Sequence, residues 1–177
     1  MRIIAGSRKG HTIYAPPGRD TRPTSDRVRE NTFNLIGPVD GASVLDVFAG
    51  SGALGLEALS RGAASAVFVE SDRAAVRAIE RNLDKLRLTG ATVLHRDALQ
   101  ALASEAASHR KYDLVLVDPP YDRYDAMQPT LARYLPDLLA DDGVLVLETD
   151  ARTEPQLPLE LRTSRKYGSA RVTLFER

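Results

Sequence analysis

The sequence predicts an α/β fold on a doubly wound, mostly parallel sheet that ends in an antiparallel hairpin. Three observations carry this. The runs VLDVF (44 to 48), AVFVE (66 to 70), ATVLH (91 to 95), DLVLV (113 to 117) and GVLVLE (143 to 148) are short and apolar on both faces, as buried parallel strands are. Stretches of helical periodicity separate them, which supplies the crossovers that parallel strands require. The last two runs, ELRTSRKYG (160 to 168) and ARVTLFER (170 to 177), meet through Gly168 and Ser169 with no room for a crossover helix, so they must pair antiparallel.

Taken in chain order, RIIA (2 to 5) and TIYA (12 to 15) flank a turn containing Gly, Lys and Arg and read as a small basic β-hairpin. PPGRDTRP (16 to 23) reads as a loop. Ser25 is placed to cap a helix whose apolar positions are Val28, Thr32, Leu35 and Ile36, and Gly37 with Pro38 stops it. Further helices are expected near 53 to 61, 72 to 87, 98 to 108 and 126 to 140. The second of these is the clearest: Val76, Ile79, Leu83 and Leu86 form one stripe, while Arg73, Arg77, Glu80 and Asp84 take the opposite side. The division expected is an extension over 1–24 and a catalytic domain over 25–177.

A chain of 177 residues has room for one domain, so a single fold must hold cofactor and substrate together. With no cysteine, disulfides, thiolate zinc sites and cysteine nucleophiles are excluded. The start, MRIIAGSRKG, has no signal-peptide core, and no apolar run approaches the roughly 20 residues that cross a bilayer, so a cytoplasmic protein is expected. Net charge is zero, yet residues 1 to 33 hold seven Lys/Arg against three Asp/Glu, while the remainder holds 17 against 21. That local excess gives nucleic-acid contact an edge at the N-terminus.

The segment from Asp46 to Gly55, DVFAGSGALG, follows the first parallel strand, where doubly wound folds bind ligands. The spacing of Gly50, Gly52 and Gly55 also fits a dinucleotide fingerprint, and Glu70 at the end of the second strand could take a ribose in either reading. Three features decide between them: Asp46, the further acids Asp97 and Asp118, and the antiparallel C-terminal hairpin, which is unusual for a dinucleotide half-fold. The Asp46 carboxylate would repel a pyrophosphate but suits the ammonium of a methionine moiety, and Asp97 and Asp118 add negative groups to the same rim. The expected cofactor is therefore S-adenosyl-L-methionine, held by Asp46, Phe48, Ala49, Gly50, Ser51, Gly52, Gly55, Glu70, Ser71, Asp97 and Ala98. Each has a plainer reading, Asp97 as a helix cap and Gly55 as a packing glycine; their joint placement favours a site.

Asp118-Pro119-Pro120-Tyr121 follows the fourth strand, and two prolines stiffen the turn. An exocyclic amine is a poor nucleophile because its lone pair is delocalised into the base. A catalyst must hold both N–H groups, which the Asp118 carboxylate and a proline carbonyl can accept. Tyr121 offers a flat face on which an extruded base can stack. Adenine, cytosine, guanine and a glutamine side chain all remain open as acceptors on this evidence, as does a non-catalytic RNA-binding assembly factor.

RIIAGSRKG (2 to 10), RPTSDRVRE (22 to 30), LDVFAGSGALGLEALSRGA (45 to 63) and VDPPY (117 to 121) together resemble the bacterial 16S rRNA guanine-N2 methyltransferase family of the RsmD type, and the likeness covers nearly the whole chain. The resemblance implies a Rossmann-like methyltransferase sheet of order 3-2-1-4-5-7-6 and methylation of the guanine numbered 966 in the usual rRNA scheme. It implies that Asp46, Gly50, Gly52 and Gly55 cradle the cofactor, with Glu70 on its ribose and Asp97 near its adenine. Asp118 to Tyr121 would hold the base, and Arg8, Lys9, Arg22, Arg27 and Arg29 would lie toward RNA. The partner expected is 16S rRNA in a small-subunit assembly intermediate, met by a monomer, without membrane or metal.

Overall fold

The computed structural model describes residues 1–17 and 26–177. The chain runs α1 (Asp26–Ile36), β1 (Ser43–Val47), α2 (Ala53–Ser60), β2 (Ser65–Glu70), α3 (Arg73–Leu86), β3 (Ala91–His95), α4 (Ala98–Ala107), β4 (Tyr112–Val117), α5 (Tyr124–Leu138), β5 (Leu139–Asp150), β6 (Glu160–Tyr167) and β7 (Ala170–Glu176). All seven strands join one sheet in the order β3-β2-β1-β4-β5-β7-β6, as expected. The first five are parallel, and β7 pairs antiparallel with both β5 and β6.

Side chains alternate across each strand, so the apolar runs fill two cores at once. Val44, Phe68, Leu114 and Leu116 pack with α2 and α3 on one face. Leu45, Val69, Val115 and Val117 pack with α4 and α5 on the other. Helix starts follow their caps: the Asp72 side chain accepts from Ala75 N at 3.1 Å, and Asp97 accepts from Gln100 N at 3.1 Å. In α3, Val76, Ile79 and Leu86 are buried and the four charged residues of the opposite stripe are exposed. The helix expected near 126 to 140 yields its last two positions to β5, because Leu139 pairs with Tyr112 as a strand residue.

The N-terminal segment closes on itself through one antiparallel bridge, Arg2 with Thr12, rather than through two regular strands. It lies outside the sheet but not outside the core: Ile3 is fully buried and Ile13 nearly so, against the α2–α3 face. Glu57 of α2, also fully buried, anchors it by accepting from Ile4 N at 2.9 Å and Ala5 N at 3.0 Å. In α1 the deepest positions are Arg29, Thr32, Phe33 and Ile36, so the stripe is rotated from the expected one; Val28 and Leu35 are only half-buried. The proposed cap Ser25 and the loop over 18–23 lie outside the described residues.

Candidate functional site

The strand order reverses between β1 and β4, where successive crossovers leave in opposite directions and open a crevice at the strands' carboxyl ends. A cavity of about 630 Å³ occupies this place. Asp46 faces it from β1, flanked in the sheet by Phe68 and Leu116. Gly55 N donates to its Oδ2 at 2.9 Å. Burial pushes the Asp46 carboxyl up to about 8, with the Glu70 charge adding to the rise and the Gly55 hydrogen bond opposing it.

After β1 the backbone turns sharply, with Phe48 at φ 60°, Gly50 at 57° and Gly52 at 83°. Phe48 is strained there, and the bond from Ala49 N to Val69 O at 3.0 Å holds the turn to β2. Glu70 fixes the same turn, accepting from Gly50 N and from Asp72 N at 2.8 Å each. Phe48, Ala49, Gly50 and Ser51 line the cavity, joined by Glu70 and Ser71 from the end of β2 and by Asp97 and Ala98 from the start of α4. Asp97 thus caps a helix and lines the site.

Gly52 and Gly55, in the same turn, stand behind the cavity wall. They permit close packing behind it. A Cβ on Gly55 would stand 2.4 Å from Phe68 Cε1 and 3.0 Å from Asp46 Oδ2, and one on Gly52 would press on Ile79 at 3.2 Å.

Across the crevice, Asp118, Pro119, Pro120 and Tyr121 all line the cavity. The Asp118 carboxyl is held well above the usual carboxylate range by burial, then by the Glu148 and Asp46 charges. Glu148, at the end of β5, escaped the sequence reading, although its place at the end of a fifth parallel strand was a usable signal. It accepts a hydrogen bond from Tyr121 Oη at 2.7 Å. Asn82 was missed as well, and nothing local marks it. Fully buried on α3, it accepts from Tyr14 N at 2.7 Å and donates to Tyr14 O at 3.0 Å and Ser51 O at 3.1 Å, tying the N-terminal segment to the glycine turn. Met1 and Pro16 complete the wall from that segment.

The five arginines and lysines expected toward RNA divide. Lys9 and Arg27 are exposed. Arg8 is partly buried, and its guanidinium donates to the Leu86 and Arg87 carbonyls, closing the end of α3. Arg29 requires correction: it is fully buried, donates to the Arg2 carbonyl and to Asp26 Oδ1 at 3.0 Å, and stands 3.6 Å from Glu57. A side chain so enclosed ties the N-terminal segment to α1 and α2 and presents nothing to a phosphate. Arg22 lies outside the described residues.

The family model described as "Conserved hypothetical protein 95" matches residues 1–176. YlbH of Bacillus subtilis is 40% identical over 100% of this chain and 99% of its own length. Ribosomal RNA small subunit methyltransferase D of Escherichia coli is 38% identical over 100% of this chain and 90% of its own length. The solved structure of yhhF from Escherichia coli superposes with a TM-score of 0.87 at 37% identity, covering 100% of this chain and 97% of that one. With a match of this extent, the chain belongs to the Conserved hypothetical protein 95 family, the methyltransferases of the RsmD type.

Proposed function

We propose that the protein transfers a methyl group from S-adenosyl-L-methionine to the exocyclic N2 amine of a guanine in 16S rRNA, the guanine numbered 966 in the usual scheme, within an assembling small subunit in the cytoplasm. The observation that carries this is one acid-lined cavity with the glycine turn and Asp46 on one side and the Asp118–Tyr121 turn on the other. The residues present fit the cofactor. Asp46, Glu70, Asp97, Asp118 and Glu148 line the same space, which favours a cationic ligand and disfavours a phosphate.

Asp46 is assigned to the cofactor ammonium, Glu70 to its ribose, and Asp97 with Ala98 to its adenine. When bound, S-adenosyl-L-methionine supplies a sulfonium methyl as electrophile, so the N–C bond forms as the C–S bond breaks with its electron pair going to sulfur. Asp118 and a proline carbonyl hold the two amine hydrogens and turn the nitrogen lone pair toward that carbon. Asp118, in its ionised form, takes the proton the amine loses. Tyr121 stacks against the extruded base. The segment 1–24 is assigned to RNA contact through Lys9, together with Arg27 of α1, and 25–177 to cofactor and catalysis.

Small-subunit particles from cells lacking this gene, incubated with the protein and labelled cofactor, should gain one methyl group, located by mass spectrometry of the digested rRNA. Inosine at the target position should gain none, since it lacks the N2 amine. Persistent methylation at that inosine would place the chemistry on a ring atom, and labelling elsewhere would mean the target is wrong.

A further inference from the structure

A second carboxylate stands beside Asp118, and its position is specific. β4 and β5 are paired with Val117 beside Leu147, so the next residue on each strand, Asp118 and Glu148, emerge as neighbours at the same end of the sheet. Both line the cavity. Tyr121 Oη donates to Glu148 Oε1 at 2.7 Å, which ties this carboxylate to the ring on which the base is proposed to stack. A carboxylate offers about four lone-pair directions on two oxygens, so it can take an N–H from a ligand as well.

The bases differ in what they present beside the reacting amine. Guanine places a donor, N1–H, next to N2. Adenine and cytosine place an acceptor, N1 or N3, next to their amines. A carboxylate there pairs with the first and meets the lone pair of the others, leaving two acceptors desolvated and unmatched.

We propose that Glu148 is the specificity-determining residue of this site, accepting the N1–H of the target guanine and thereby rejecting adenine and cytosine. This rests on the guanine-N2 reading above. The Tyr121 hydroxyl holds Glu148 in place, so one turn sets both the stacking face and the edge contact.

The test uses the full chain and reconstituted small-subunit particles whose target nucleotide is guanosine or 2,6-diaminopurine riboside. The second keeps the N2 amine and the purine ring but turns N1 into an acceptor. The wild type should favour guanosine in kcat/KM by about 100-fold or more, since a site built for an N–H rejects its absence strongly. In Glu148→Gln the amide can donate to N1, so this ratio should collapse to within about tenfold, while calorimetry shows cofactor binding retained. Tyr121→Phe keeps the carboxylate and should retain most of the preference. Equal use of both substrates by the wild type, or loss on both by one common factor in Glu148→Gln, overturns the proposal. If Glu148→Gln does not fold, the wild-type ratio alone decides. Failure of the wild type to methylate guanosine particles at all would instead strike the guanine-N2 reading.

Discussion

Asp46→Asn should make the protein more stable and weaken its hold on the cofactor. The Asp46 carboxyl is 1% exposed and pushed up to about 8, so the native protein holds a proton there that the unfolded chain releases near 3.8. Between those values the native state carries one more proton than the unfolded state, and wild-type stability falls as pH rises, by about 1.4 kcal/mol per unit. Above about 8 both states are ionised and the loss levels off. Asparagine has no such titration, and its amide oxygen can still accept from Gly55 N. The advantage of Asp46→Asn over wild type should therefore grow by roughly 3 to 4 kcal/mol between pH 5 and pH 8. Taking the difference between the two proteins removes the titrations they share. Urea denaturation of both proteins across this range measures the effect. A difference that stays constant with pH would show that Asp46 is already ionised in the folded protein and would refute the reasoning. Calorimetry should show the variant's cofactor affinity reduced by about 100-fold or more, because an amide cannot ionise to pair with the cofactor ammonium as it binds.

Glu57→Gln should cost about 3 to 5 kcal/mol in denaturant melts, because the fully buried Arg29 loses its buried carboxylate neighbour. Gly55→Ala should destabilise by about 1 to 3 kcal/mol and weaken cofactor binding, since its Cβ would stand 2.4 Å from the Phe68 ring and 3.0 Å from Asp46 Oδ2; unchanged stability would mean that the ring moves aside freely. Removing residues 1 to 17 uncovers the space filled by Ile3 and Ile13 and should lower stability by at least about 3 kcal/mol. RNA contact is better tested by replacing Lys9 and Arg27 together, which should flatten the salt dependence of RNA binding by about one unit of slope per lost phosphate contact. Tyr121→Ala should lower kcat/KM far more than Tyr121→Phe, because a stacking face is worth about 1 to 3 kcal/mol per base; equal damage would assign the effect to the hydroxyl on Glu148.

What the sequence alone determined was local and periodic. Strand runs apolar on both faces, helices with one apolar stripe, a cap at Asp97, and a proline-stiffened turn after DLVLV are each written within about a dozen residues. Together they placed Asp46, Glu70, Asp97 and Asp118 at the ends of successive strands. The tertiary structure decided where partners come from distant segments. Arg29 reads as a solvent-facing arginine because burying a lone guanidinium is very costly; its burial becomes tolerable only when Glu57, Asp26 and the Arg2 carbonyl converge on it. Glu148 looks like any charge at a strand end until β5 settles beside β4 and Tyr121 reaches it. Gly52 and Gly55 carry the same symbol as Gly50, yet only the fold shows Phe68 and Ile79 packed directly behind them. Asn82 joins Tyr14 to Ser51 across 68 and 31 residues of chain, a link that no spacing along one helix can announce, because it exists only once three separate segments are packed together.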